Sequence, residues 1–519
     1  MIKQKKKQLQ ENYLCTLKQL QKEKSSEFWK IINHMKDVDN KSENPISAKR
    51  WLHYYETLNV EKYNNDFQQN ILTDLDEEEN KLPDNIILNK IITHKEVSEA
   101  IRNLKSNKAP GLDGFCLELL KNSSSYLMTP LVKLFNLVLD SSEYPDLWNL
   151  SCITHIHKKG DKFEPQNYRG ISVSSCIGKV LCYIINKRIN SYIEEKKILK
   201  NNQAGFRKNH RTIDQIFVLK TLVQKYIKNK QKLFVCFVDF AKAFDTVWRE
   251  GLFYKLLINN INGKIYKLIK NNYSNTKACI NINNYITNQF KINRGVKQGC
   301  IMSPTLFNIF INDLKDNLDE VNTDSPLLNN TIVNSVLYAD DLALISTTQA
   351  GLQTSLNALE QYCAQWKLAV NLSKTQVVIF SSSYLRQNYS FSFGNQNIQI
   401  GTSYTYLGIA IKSNGSFKDA MSHLATKAGK SIHIMNNILN GNIDIELKIR
   451  LFNIYIKPIL LYGSELWALE TNIQENAKWD KTKILRMNLR FCKQILQTST
   501  RSCNLAVRAE LGQSQYLKK

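Results

Sequence analysis

The chain reads as an α+β protein with a helical extension at its N-terminal end and a helical region at its C-terminal end. Three features carry this. Leu9, Tyr13, Leu17 and Leu20 recur at helical spacing near the start. Strand-like and helix-like patterns then alternate up to about Ile411. Beyond Ser416 only helical periodicity remains. With 519 residues the chain is too long for one core, and two or three subdomains are expected.

In the extension, Phe28, Trp29 and Ile32 continue the helical pattern, and the acidic stretch around Asp74 to Asn80 reads as a linker. We therefore divide the chain into an extension and linker over 1–92, a mixed core over 93–411 and a helical region over 412–519. The core opens with a capping box, Thr93 and Glu96, ahead of Val97, Ile101 and Leu104. The turn KAPGLDG follows, marked by Pro110, Gly111 and Gly114. LFVCFVD, residues 233–239, is a nearly continuous apolar run, the pattern of a central strand covered on both faces. Ser303 and Pro304 read as N-cap and first residue of a helix whose Leu306, Phe307, Phe310, Ile311 and Leu314 form one apolar stripe.

Composition narrows the partners. Seventy Lys and Arg against 46 Asp and Glu leave a formal charge of +24, which favours polyphosphate. No apolar run approaches the roughly 18–20 residues of a spanning helix, so no membrane partner is expected. The start is too polar for a secretory signal. The eleven Cys lie mostly in apolar runs without a C-x-x-C pair, which suits reduced thiols in an intracellular protein, nuclear or cytoplasmic. Cys176 and Cys182 have no His pair beside them, and His155 and His157 alone are too few ligands, so both pairs read as structural.

Two places carry chemistry. Asp239 ends the buried run and begins AKAFDTVW, where Asp would also serve as a helix N-cap. In VLYADDLALIS, Asp340 and Asp341 sit within apolar sequence. Successive strand side chains face opposite ways, so both can address one site only if the chain turns there, as at a hairpin tip. Asp-Asp is a poor choice for turn formation alone, and two carboxylates beside apolar strands need a compensating charge. A divalent cation supplies it, and three carboxylates can hold two Mg²⁺ ions for nucleotidyl transfer.

Around these residues the sequence resembles the reverse transcriptases of non-LTR (LINE-type) retrotransposons, Jockey-like elements in particular. The resemblance covers most of residues 100 to 470. It runs in order through NKAPGLDGF, ITHIHKKGD with PQNYRGISVSSCIGKV, NQAGFRKNHRTIDQI, FVDFAKAFDTVW, GVKQGCIMSPTLFNIFINDL, YADD, NLSKTQVVIF and YTYLGI.

The resemblance implies a right-hand polymerase of fingers, palm and thumb, acting as an RNA-directed DNA polymerase on an RNA template, a DNA primer and deoxynucleoside triphosphates. Carried over, Asp239, Asp340 and Asp341 are the ligands of Mg²⁺ (or Mn²⁺), with the backbone carbonyl of Phe240 a further ligand. Lys158 and Arg169 grip the triphosphate. Gln298, Gly299 and Ser303 form the loop that positions nucleotide and template, and Gly299 lets the backbone approach closely. Phe244 excludes a ribose 2′-hydroxyl, Lys374 protonates the leaving pyrophosphate, and Tyr406, Leu407 and Gly408 form the primer grip. The basic tail is the thumb along the duplex backbone. The roughly 90 residues before Thr93 are too few for an endonuclease, and an RNase H domain has no room after the tail. Two alternatives stand beside this reading: a decayed or repurposed copy that binds nucleic acid without polymerising, and an RNA-dependent RNA polymerase.

Overall fold

The computed structural model describes residues 43–60, 65–81, 83–321, 324–382, 388–438, 445–468 and 482–512. The helical pattern expected between Leu9 and Ile32 lies outside them. The chain forms two compact units, one made of 43–215 and 225–401, the other including 216–224 and 402 onward.

The larger unit is built on two sheets. In the first, β1 (Leu150–His157) pairs antiparallel with β2 (Tyr168–Val173). Its other edge pairs parallel with β4 (Lys277–Ile282). The helix Ala48–Leu58 covers this sheet, burying Trp51 and Tyr55 against Ile153, Ala278 and Ile280. His155 faces that cluster. Tyr55 Oη lies 3.1 Å from its Nε2, and burial lowers its pKa to about 4, so the imidazole is neutral and structural.

The second sheet has β3 (Leu233–Asp239) at its centre. On one side stand β6 (Asp341–Ser346) and then β5 (Ser335–Tyr338), both in antiparallel ladders. On the other stand β7 (Gln376–Phe380), antiparallel, and β8 (Gln399–Gly401), parallel to β7. Residues 233–238 are buried throughout, as the apolar run predicts.

Three local expectations change. The acidic stretch at 74–80 lies in a helix, Asp66–Lys81, because Ile71 and Leu75 bury one face while the carboxylates take the other. Ser303 is the first helical residue of Ser303–Ile311, with Met302 at the cap; its hydroxyl donates to the Lys297 carbonyl at 2.7 Å. That helix is buried almost all round and stops at Ile311, so Leu314 begins the separate helix Leu314–Val321. The Thr93–Glu96 capping box forms as expected.

The second unit opens with a hairpin of β9 (Ser403–Tyr406) and β10 (Ile409–Lys412). Its described remainder is helical, from Lys418–Ile438 to Lys483–Ile495 and Asn504–Glu510, with Phe452 stacked on Phe491 at 4.0 Å. Among the described residues no helix is long and apolar enough to cross a membrane.

Candidate active site at the end of the central sheet

Asp239 is where β3 leaves the core. The strand end is held by neighbouring backbone: Asn371 N–H donates to the Asp239 carbonyl at 2.7 Å, and Ala241 N–H to the Ala369 carbonyl at 2.7 Å. Asp239 N–H donates to Thr375 Oγ1 at 3.2 Å. This leaves the carboxylate at the end of the sheet, 3.3 Å from the Lys374 ammonium. The β3–β6 ladder sets Asp341 directly opposite Asp239. The β5–β6 ladder pairs Tyr338 with Asp341, so Ala339 and Asp340 form a two-residue hairpin turn. The turn solves the problem the sequence poses, since it brings consecutive Asp residues to one end of the sheet.

Cross-strand partners in an antiparallel ladder share a face, and like charges there repel. Partial desolvation beside the apolar strands, then the charges of Asp340 and Asp239, push the Asp341 carboxyl up to about 6, although the residue keeps contact with solvent. Burial likewise raises Asp340, with Asp239 adding to it and Arg169 and Lys158 opposing. Lys158 is lowered by desolvation first and then by Arg169, while Asp245 and Asp340 draw it up. The cations of β2 and its preceding loop therefore share an electrostatic neighbourhood with the carboxylates of the central sheet. Hard oxygen donors with an excess of negative charge suit a divalent cation. Among the described residues no group of three or more His, Cys, Asp or Glu side chains is arranged closely enough to hold a metal ion. The sheet supplies the donors and their register, with Lys374 providing part of the counter-charge.

Gln298 sits beside β2, where its carbonyl accepts from Ser172 N–H at 2.7 Å. Its amide donates to Asp245 Oδ1 at 2.9 Å, and its Oε1 is buried without a partner. Gly299 has φ +107°, and a Cβ there would stand 3.0 Å from the Ser172 carbonyl, so its close neighbour is the β2 backbone. Phe240 is buried and bridges to Val370. Phe244 is partly buried, stacked on Phe307 at 4.8 Å and edge-on to Phe206 at 6.1 Å. Tyr406, Leu407 and Gly408 belong to the other unit, at the tip of the β9–β10 hairpin.

Several supporting residues escaped the sequence reading. Asp245 is half-buried beside Gln298, and desolvation raises its carboxyl to about 6 against the pull of Lys242 and Lys158. Arg249 is buried and donates to the carbonyls of Gly295 at 3.0 Å and Ile292 at 2.5 Å, anchoring the segment before Gln298. The buried Lys297 ammonium lies between Asn149 Oδ1 at 3.0 Å and Asn272 Oδ1 at 2.6 Å. Charged residues flanked by apolar ones, as in DTVWRE and GVKQG, were the available signal.

Residues 156–411 match the family described as reverse transcriptase (RNA-dependent DNA polymerase). The chain is 27% identical over 398 residues to the probable RNA-directed DNA polymerase from transposon BS of Drosophila melanogaster, covering 75% of this chain and 43% of that protein. It is 26% identical over 392 residues to the RNA-directed DNA polymerase from mobile element jockey of the same fly, covering 73% and 42%. For the probable polymerase from transposon X-element the figures are 24% over 387 residues, 72% and 41%. The chain thus spans less than half the length of these curated relatives. On the matched family and the carboxylates gathered at the end of its central sheet, this chain carries a reverse transcriptase domain like that of the non-LTR retrotransposon polymerases.

Proposed function

We propose that the chain is an RNA-directed DNA polymerase of right-hand architecture that extends a DNA 3′-hydroxyl on an RNA template. The observation that carries this is the register setting Asp341 opposite Asp239 with Asp340 at the adjoining tip. Asp239, Asp340, Asp341 and the Phe240 carbonyl would hold two Mg²⁺ ions, which when bound activate the hydroxyl and neutralise the triphosphate. Lys158 and Arg169 bind the triphosphate, Arg169 through its planar fork and Lys158 as a point charge. Lys374 delivers a proton from Nζ to the departing pyrophosphate. Gln298 and Gly299 position the nucleotide, and Tyr406, Leu407 and Gly408 support the primer. The basic excess binds template and primer through their phosphates, and the reduced cysteines suit an intracellular setting.

Primer extension on poly(rA)–oligo(dT) with Mg²⁺ tests the reading. Template-dependent incorporation of dTTP is expected. Binding of the primer–template without incorporation would support the decayed-copy alternative instead. Sugar selection separates the reading from an RNA polymerase. Phe244→Val should raise the kcat/KM ratio of UTP to dTTP about tenfold to a hundredfold, as the space filled by the ring opens. The packing of Phe244 on Phe307 favours an opposite outcome if the ring is only core: equal loss with both sugars and a lower Tm.

A further inference from the structure

The turn bearing Asp340 is held by a residue outside the sheet. Ala339 has φ +58°, a conformation that L residues with a Cβ adopt at a cost, and it is 5% exposed. Neither neighbour in the turn is Gly or Asn, so local sequence does not explain why the chain turns here. The explanation comes from the stretch Asn202–Gly205. Gln203 bridges in parallel to Leu337, and the backbone bonds Leu337 N–H to Asn202 O and Ala204 N–H to Leu337 O, each 2.9 Å, seat this stretch along β5. Gln203 is 1% exposed and closes on both backbone groups of Ala339. Ala339 N–H donates to Gln203 Oε1 at 3.0 Å, and Gln203 Nε2 donates to the Ala339 carbonyl at 3.3 Å.

The same Oε1 accepts from Gly205 N–H at 2.7 Å, which sets which end of the amide is oxygen. A Cβ at Gly205 would lie 2.2 Å from Ala339 N, so only Gly lets the segment approach this closely. The Gly205 carbonyl is in turn held by Asn308 Nδ2 at 2.7 Å. An amide is the neutral side chain that donates and accepts from one plane. Here it satisfies a buried, positive-φ residue on both sides.

We propose that Gln203 is a positioning residue: it holds the Tyr338–Asp341 turn so that Asp340 and Asp341 project together at the sheet end. Its role in polymerisation rests on the proposed polymerase function; the clamp itself does not. Removing it should loosen the turn, spread the two carboxylates and weaken their hold on a divalent cation. The fold elsewhere should stay intact.

The test uses the full chain and three readouts: amide hydrogen exchange, Mn²⁺ binding by calorimetry, and kcat for dTTP on poly(rA)–oligo(dT). In Gln203→Met, which keeps length but neither donates nor accepts as an amide does, exchange at Ala339 should quicken about fivefold to tenfold, the equivalent of one lost hydrogen bond. Exchange across β7 should not change. Mn²⁺ affinity should weaken, and kcat should fall about tenfold to a hundredfold, as displaced catalytic groups require. KM for dTTP should move little. Gln203→Glu, which keeps the accepting oxygen but cannot donate when ionised, should be intermediate, and it carries the test if Gln203→Met does not fold. Adding Ala339→Gly should recover part of the loss, because Gly takes positive φ without a clamp. Unchanged exchange at Ala339, or quickening equal in β7 with no recovery from Ala339→Gly, would overturn the assignment. A wild type that extends no primer, yet whose Ala339 exchange responds to Gln203, would retire the polymerase reading and leave the clamp standing.

Discussion

Two of the two-residue hairpin tips among the described residues are made in opposite ways. Between β9 and β10 the tip is Leu407–Gly408, with φ +47° and +85°. Positive φ at both positions suits the type I′ turn that right-twisted strands prefer, and Gly takes the second position freely. One further contact secures it, as Tyr462 Oη donates to the Leu407 carbonyl at 2.8 Å. Between β5 and β6 the tip is Ala339–Asp340, with positive φ at Ala339 alone and no Gly in the turn. There the conformation is maintained by a buried Gln from a distant part of the chain. The Leu407–Gly408 tip draws its geometry largely from its own turn-forming Gly. The Ala339–Asp340 tip, which carries adjacent carboxylates, lacks such a residue and takes its geometry from tertiary contacts.

The strongest test of this contrast is chemical. Asp340→Asn keeps the shape of the β5–β6 tip and removes one charge, so turnover should fall by orders of magnitude while primer–template binding persists. Single-turnover extension together with filter binding measures both; near-normal extension would leave Asp340 as a turn residue only. Next in size is a reciprocal exchange at the two tips, read by thermal unfolding. Gly408→Ala should cost about 1–2 kcal/mol, because a Cβ is disfavoured at that φ. It would also stand 3.3 Å from the Tyr462 ring. Ala339→Gly should lie within about 1 kcal/mol of neutral, since relief at positive φ offsets the added chain entropy. If the two costs proved equal, the tips would not differ as described. The smallest effect belongs to Leu407→Asn. Asn tolerates positive φ and is favoured before Gly in this turn, so a gain of about 0.5 kcal/mol is expected. A loss would show that Leu407 contributes packing that outweighs its backbone strain.

The elements that sequence alone made legible are those in which chemistry and periodicity agree. LFVCFVD is a buried central strand because six consecutive apolar residues leave it no solvent face. The YADD segment had to be a hairpin tip because adjacent strand side chains diverge, and the ladder bears this out. Where charge dominated the local pattern, the reading erred. The carboxylates at 74–80 suggested a linker, although Ile71 and Leu75, one turn apart, already marked a buried helical face. Ser303 looked like an N-cap, but its hydroxyl was taken by the Lys297 carbonyl, a contact between segments that no local preference encodes.

What the sequence determined by itself was therefore the kind of site: carboxylates at the ends of apolar strands, cations in polar segments, and a stretch, 156–411, that matches the reverse transcriptase family. Only the tertiary structure decided which residue faces which. The β3–β6 register sets Asp341 rather than Asp340 opposite Asp239. Desolvation raises Asp245 beside Gln298, and Gln203 reaches Ala339 across 136 positions of chain. The reason is physical. Side-chain type and spacing are local properties that periodicity reports, whereas a hydrogen bond or a desolvated charge depends on which surfaces meet when the chain closes its core.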